Sequence, residues 1–325
     1  LKFKGECMIR YILKRILQAV PLLLVISFIV FTLIHLAPYD AIDAQITSNM
    51  SQEEINILRE QSGLNKPFLI QYVDWLGQIL SGNFGHSLVT HNSVGEEILA
   101  KIPNTISLVL PAYVTALVIA IVLGLLAAAN KGKWQDKLID AVASLGIATP
   151  SFWIAMIFIY VLGYQLNLFP IIGMHTIGKE GDFSDFLSHF IMPYLTLTIV
   201  FFAELTRYVR SSALSQTNEE YVVVQQAFQA TKTQIFTRHI IKNVLIPVIT
   251  QVGMSLPMLV TGAIITETVF SWPGIGPYIT QATRALDYPI IMAVMLLSAT
   301  LVIVGNLISD ILYSIVDPRI RRGGK

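Results

Sequence analysis

Charge is what this sequence has least of. Asp, Glu, Lys and Arg make up 13% of its 325 residues, against roughly 25% in soluble globular chains. Hydrophobic residues make up 54%. A globule of this size cannot hide so much apolar surface from water, because surface falls too slowly relative to volume. The bilayer is the expected solvent. A formal net charge of +1 excludes a strongly basic nucleic-acid binder, and the shortage of charge excludes a disordered solvating chain. Cysteine is almost missing too: Cys7 alone permits neither an internal disulfide framework nor a CxxC metal knuckle. The six histidines include no HExxH and no i, i+4 pair, so no metal site is expected. Gly173, Gly178 and Lys179 have the spacing of a phosphate-binding loop, but Glu180 stands where a Mg²⁺-binding Ser or Thr is needed. No paired nucleophile and base stands out either; Asp140 and Asp310 lie near helix ends, where solvated or partner-paired carboxylates are common. No catalytic residues are expected.

Long charge-free windows are what the sequence does have. Six of them, 16–39, 102–130, 141–178, 186–203, 243–266 and 288–309, are bounded by charged residues, and about 20 apolar residues suffice to cross a bilayer. A seventh, 75–95, is broken by Gly82, Asn83, Gly85, His86, His91 and Asn92. The third is 38 residues long and contains Pro150, Asn167, Pro170 and Gly173, which predicts one helix of 28 residues and then a loop. The fourth is the shortest, and a Glu204 facing protein rather than lipid extends it toward Arg207. Arg207 and Tyr208, at i+3 and i+4, are natural local partners for Glu204. The expected architecture is an all-α membrane protein with six transmembrane helices.

Lys and Arg set the orientation, since they are retained on the cytoplasmic side of a span. With the N-terminus inside, 17 of the 22 basic residues are cytoplasmic; the other five are Arg59, Lys66, Lys101, Lys179 and Arg284. Both termini are therefore expected in the cytoplasm. The first window is too long for a signal-peptide core, and Ala37-Pro38-Tyr39 is no small-residue cleavage site, so this helix is expected to be retained. Met8 reads as a natural start. The expected organisation is an extension at 1–7, a first span at 8–37, an external segment at 38–103, and a five-helix core at 104–325 with its main cytoplasmic loop at 207–245.

Two loops carry local signals. In the external segment, Ser51-Gln52-Glu53-Glu54 reads as a capping box for a helix carrying Ile55, Ile57 and Leu58. Pro67 then opens an aromatic-rich helix with Phe68, Tyr72 and Trp75, which Gly82, Asn83 and Gly85 stop. That helix suits either the headgroup zone and the top of the bundle or contact with a ligand. In the cytoplasmic loop, Asn218 is a candidate cap for a helix running to Ala230, and Thr231 or Thr233 starts a second, Gln234 to Asn243. Ile235, Phe236, His239 and Ile240 share one side of the second helix. Short amphipathic helices here can cap the interface or dock a partner's groove, and Phe228 and Phe236 are the expected apolar contacts.

From Met8 onward the chain resembles the permease subunits of binding-protein-dependent ABC importers of the dipeptide, oligopeptide and nickel family. The resemblance rests on Met8 to Arg15 with His35-Leu36-Ala37-Pro38, Gly63-Leu64-Asn65-Lys66-Pro67, Gln71-Tyr72, Thr149-Pro150-Ser151-Phe152 and Leu168-Phe169-Pro170. Its most specific run is Glu267-Thr268-Val269-Phe270-Ser271-Trp272-Pro273-Gly274-Ile275-Gly276, followed by Asp287-Tyr288-Pro289 and Asp317-Pro318-Arg319. Three stretches depart from the family's pattern: Tyr39 and Gln229, where Gly is usual, and Val223-Val224-Gln225, where Arg-Thr-Ala or similar is common. At Gln229 the expected outcomes are ordinary helical dihedrals or a break displaced to Ala230-Thr231.

The resemblance implies a type I importer permease fold and ATP-driven peptide import, with nickel or a metallophore as the alternative cargo. It implies a homologous second permease subunit, two ATPase subunits holding the ATP and Mg²⁺, an extracytoplasmic substrate-binding protein, and no nucleic acid. By resemblance, ATPase coupling falls on Glu220, Tyr221, Ala227, Phe228, Gln229, Phe236, Arg238, His239, Asn243 and Pro247. The translocation path or gate falls on Pro150, Phe152, Glu267, Phe270, Trp272, Pro273, Gly274 and Gly276. Glu267 is expected to serve a gate rather than to hold a peptide amine, and the two glycines to shape one sharp bend.

Overall fold

The fold is taken from a computed structural model, which describes residues 2–36, 50–51, 53–54, 57, 65–255 and 264–316; side chains are described from residue 17, except 310 and 312–316. Among these residues the regular elements are helical, with one isolated bridge between His86 and Ser93. The helix expected around Ile55 and Leu58, the Gly63-Leu64 stretch, the Asp310 side chain and the Asp317-Pro318 ending lie outside the described set.

Helix α1 (Lys2–His35) passes through Met8 without a break. Its outward face, including Leu17, Leu22, Val25 and Leu33, is exposed, as lipid contact requires, while it packs on the last helix, α11 (Tyr288–Val316). Helix α2 (Phe68–Leu80) begins directly after Pro67. Its aromatic side closes on α1: Phe28 and Phe31 lie 5.2–5.8 Å from Phe68, Tyr72 and Trp75. The hydroxyls of Ser27 and Tyr72 are 2.9 Å apart. The aromatic stripe of α2 is thus packing against the bundle. Gly82 and Gly85 end it at positive φ. Ser51 and Glu54 form the expected reciprocal cap.

Among the described residues, helices α3 (Val94–Ala129) and α6 (Phe183–Gln216) make the most extensive contact. On α3, Ala112, Ala116, Ala120, Gly124 and Ala128 recur every four residues and are all buried. Small residues at this spacing let two backbones approach closely, which is how helices associate in lipid. At Gly124 the fit is tight enough that a Cβ would sit 2.7 Å from Val209 Cγ1. The boundary expected at 103 falls inside α3, which runs on from the external segment.

The third window is not one helix. Helices α4 (Trp134–Ala148) and α5 (Ser151–Gln165) meet at 96°. Pro150 lacks an amide donor and disfavours helical dihedrals in Thr149, which is extended at ψ 121°. The last seven residues of α5, Ile159–Gln165, widen into a π-helix.

Among the described residues, four helices are long and apolar enough to span a bilayer: Leu17–His35, Val94–Ala129, Phe183–Gln216 and Tyr288–Ser309. The α4–α5 pair is a fifth if counted as one crossing. The window expected at 243–266 contains the second half of α8 (Lys232–Ser255), then residues 256–263 outside the described set, then the first residues of α9 (Ile264–Val269). Helix α10 (Ile275–Ala285) joins α9 to α11.

Candidate functional site

At one end of the α3–α6 pair, helix α7 (Glu220–Ala227) has Glu219, not Asn218, at its N-cap position and stops before Ala230. Its exit is a Schellman turn: the Ala230 amide donates to Gln225 O (3.0 Å) and the Gln229 amide to Gln226 O (2.9 Å). Gln229 supplies the left-handed residue, at φ +57°. It therefore neither stays helical nor displaces the break; it adopts the glycine-like conformation, and the two hydrogen bonds offset its steric cost.

Thr231 then starts the next helix through a full capping box with Gln234. That helix is not the separate piece Gln234 to Asn243. Lys232–Gln234, a π-turn Ile235–Ile240 and Ile241–Ser255 form one unbroken element, α8, so the loop at 207–245 and the fifth window share a rod.

Burial divides the expected coupling residues. Phe236 is 8% exposed and packs with Val209, Val222, Ile240 and Val244, so it belongs to the core. Phe228 is 80% exposed, and Val223 and Val224 beside it are exposed as well. Glu220, Ala227, Gln229 and Arg238 are exposed, and Tyr221, His239, Asn243 and Pro247 half-buried. Two of these are tied back to α6: Tyr221 donates to Gln216 Oε1 (3.1 Å), and Tyr208 donates to Pro247 O (3.1 Å).

At the other end of the bundle, Glu267 on α9 is fully buried, and its Oε2 accepts the Gly276 amide at 2.7 Å. The turn beyond it is another Schellman exit, with Trp272 N–H donating to Glu267 O (2.8 Å) and Ser271, not a glycine, holding the left-handed φ of +51°. Gly274 and Gly276 are needed for space instead. A Cβ at Gly274 would lie 2.4 Å from Thr105 Oγ1 and 2.5 Å from Glu267 Oε2, and one at Gly276 would lie 2.8 Å from Glu267 Oε2.

Helix α3 staples this turn. Trp272 Nε1 donates to Asn104 O (2.8 Å), Asn104 Nδ2 donates to Pro273 O (3.0 Å), and the Ile275 amide donates to Thr105 Oγ1 (2.9 Å). Trp272 also packs on Phe186 and Phe190 of α6, and Phe270 on Ala155 and Met192. Helix α5 packs on α9 through its middle, where Ala155, Phe158 and Leu162 meet Phe270 and Val269, whereas Pro150 and Phe152 stand at the start of α5. Only Pro150, Phe152 and Pro273 of this set are exposed; Glu267, Phe270, Trp272, Gly274 and Gly276 face protein.

Sequence reading missed Asn104 and Thr105, because no local pattern links residues some 170 positions apart. It also expected a local partner for Glu204, which is exposed with no ion pair among the described residues, while Arg210 reaches across to Asp136 on α4. The apparent phosphate-loop spacing at Gly173–Lys179 is a turn in which the Gly178 amide is taken by Glu180 Oε1 (3.0 Å), which holds that carboxyl below its usual range.

Residues 120–322 match the family described as binding-protein-dependent transport system inner membrane component, and residues 8–109 match its N-terminal counterpart. The chain belongs to this family. It is 38% identical, over 96% of its length and 99% of the relative's, to the oligopeptide transport system permease protein AppB of Bacillus subtilis. It is 37% identical to a putative peptide permease protein of Brucella ovis, over 97% of its length and 99% of the other. It is 35% identical to the metal-staphylopine import system permease protein CntB of Staphylococcus aureus, over 98% and 100%. The resemblance to ABC importer permeases of the peptide family is borne out, and the permease is a multi-pass plasma-membrane protein. In this permease the two candidate sites lie on successive pieces of chain: α8 leads out of the exposed Phe228 loop, and α9 carries Glu267.

Proposed function

We propose that the permease is one of two homologous membrane subunits of an ATP-driven peptide importer, with six crossings and both termini in the cytoplasm. The charge split across the loops supports this orientation. Two ATPase subunits hold ATP and Mg²⁺ and dock on the loop at 207–245; an external binding protein delivers the peptide. The observation that carries this reading is the exposed apolar tip Val223, Val224 and Phe228, held out by the left-handed Gln229 next to a rod continuous with the fifth window. Such a tip suits an apolar groove on a partner. Closure of the ATPases on ATP pushes α7 and the start of α8, and α8 carries the motion toward the Glu267 turn. That turn acts as a stiff element of the outer gate and not as a peptide-binding surface, in keeping with the full burial of Glu267.

Peptide is the favoured cargo because the relatives at 38% and 37% identity bear peptide-permease names. A metallophore is the second reading, favoured by the relative described as a metal-staphylopine importer. The test is uptake into proteoliposomes carrying the complete complex, supplied with binding protein and either labelled peptide or labelled metal–chelator complex. ATP-dependent peptide uptake is expected; uptake of the metal complex alone transfers the assignment to the second reading.

A further inference from the structure

A recess of about 340 Å³ opens beside the Trp272–Gly274 turn, lined by Lys101 of α3, Ser271, and Tyr278, Gln281 and Arg284 of α10. Two cations share it. Among the described residues neither Lys101 nor Arg284 is paired with a carboxylate, whereas Lys66 holds Asp74 at 2.6 Å and Arg210 holds Asp136. Glu97, one turn before Lys101, is bound by Asn92 Nδ2 at 2.7 Å. Lys101 is positioned, its Nζ lying 5.1 Å from the centre of the buried Tyr278 ring. Arg284 is exposed.

The floor of the recess is closed. Trp272 is fully buried, Gly274 has no room even for a Cβ, and Asn104, Thr105 and Glu267 fasten the turn by hydrogen bonds. A group entering therefore stops at the turn and does not pass through into the bundle. This is the geometry of a docking recess lined by two cations, not of a conduit. On the charge split, this face is the external one, and a binding-protein-dependent transporter must receive a protein there.

We propose that this recess receives an acidic side chain of the extracytoplasmic binding protein, whose carboxylate meets Lys101 and Arg284. This rests on the reading of the permease as an importer subunit with α10 outside. Charges at the rim of an interface act on encounter and on salt dependence, and removing one unit charge at about 4 Å in water weakens docking by about fivefold.

The experiment uses the complete complex in nanodiscs and follows stimulation of ATP hydrolysis against the concentration of its purified binding protein loaded with peptide. Arg284→Gln and Lys101→Gln should each raise the half-saturating concentration by about fivefold and flatten its salt dependence, with basal hydrolysis unchanged. Lys179→Gln, on another external loop, should leave both as in the wild type. Unchanged half-saturation in both recess variants overturns the proposal. A defect that vanishes when the binding protein carries a peptide amidated at its C-terminus assigns the carboxylate to the substrate and also overturns it. A wild-type complex that its binding protein fails to stimulate refutes the importer reading itself, and the recess assignment falls with it.

Discussion

Arg210 grips Asp136 with two donors, Nε at 2.6 Å from Oδ1 and Nη2 at 3.1 Å from Oδ2. The Gly132 amide adds a third bond to the same carboxylate, at 2.8 Å. One ion pair thus ties α6 to both the α3–α4 turn and the start of α4. The Asp136 side chain is nearly buried and Arg210 only partly so, which places the pair between an exposed bridge and a core one. Arg210→Ala should cost about 2–3 kcal/mol, read as a lower melting midpoint of the detergent-purified complex. Arg210→Lys should recover less than half, because a point charge cannot replace the fork.

Gln229 at φ +57° makes an opposite forecast. Gln229→Gly removes a steric cost of about 1 kcal/mol and should raise the melting midpoint, while Gln229→Val should lower it. Transport should survive the glycine variant, since the turn it specifies is already present.

Phe228 and Phe236 separate docking from folding. Phe228→Asp changes an exposed side chain, so the variant should insert and fold but lose co-purification with the ATPases. Phe236→Asp places an unpaired charge among Val209, Val222 and Ile240 and should cost at least about 3 kcal/mol, seen as poor yield of folded permease. Equal ATPase recovery with wild type and Phe228→Asp would remove the docking role.

Gly274→Ala puts a methyl group against Thr105 and the Glu267 carboxylate, an overpacking cost of about 1–3 kcal/mol. Uptake should fall while the ATPases still co-purify. Glu267→Gln keeps an oxygen for the Gly276 amide and should be milder than Glu267→Ala. Loss of uptake for all peptides alike supports the gate; selective loss for peptides with a free amino terminus supports direct contact.

Orientation is testable by labelling. With Cys7 replaced, a cysteine at the exposed Ile177 should react with an impermeant reagent outside intact cells, and one at the exposed Lys133 should not. The reverse result inverts the topology.

The sequence by itself determined the solvent, the apolar windows, the Ser51 cap, a helix start at Thr231 or Thr233, and the stops at Gly82 and Gly85. These depend on composition and on contacts a few residues apart. Only the tertiary structure decided that Pro150 turns the chain by 96°, that Phe236 is core and Phe228 is not, and that α8 absorbs the second cytoplasmic helix. It also decided what Gly274 and Gly276 are for. A glycine in sequence signals conformational freedom or missing volume alike, and only the approach of Thr105 and Glu267 tells which applies. The same holds for apolar faces, which in a membrane protein meet lipid, core or partner with the same side chains, so burial alone separates them.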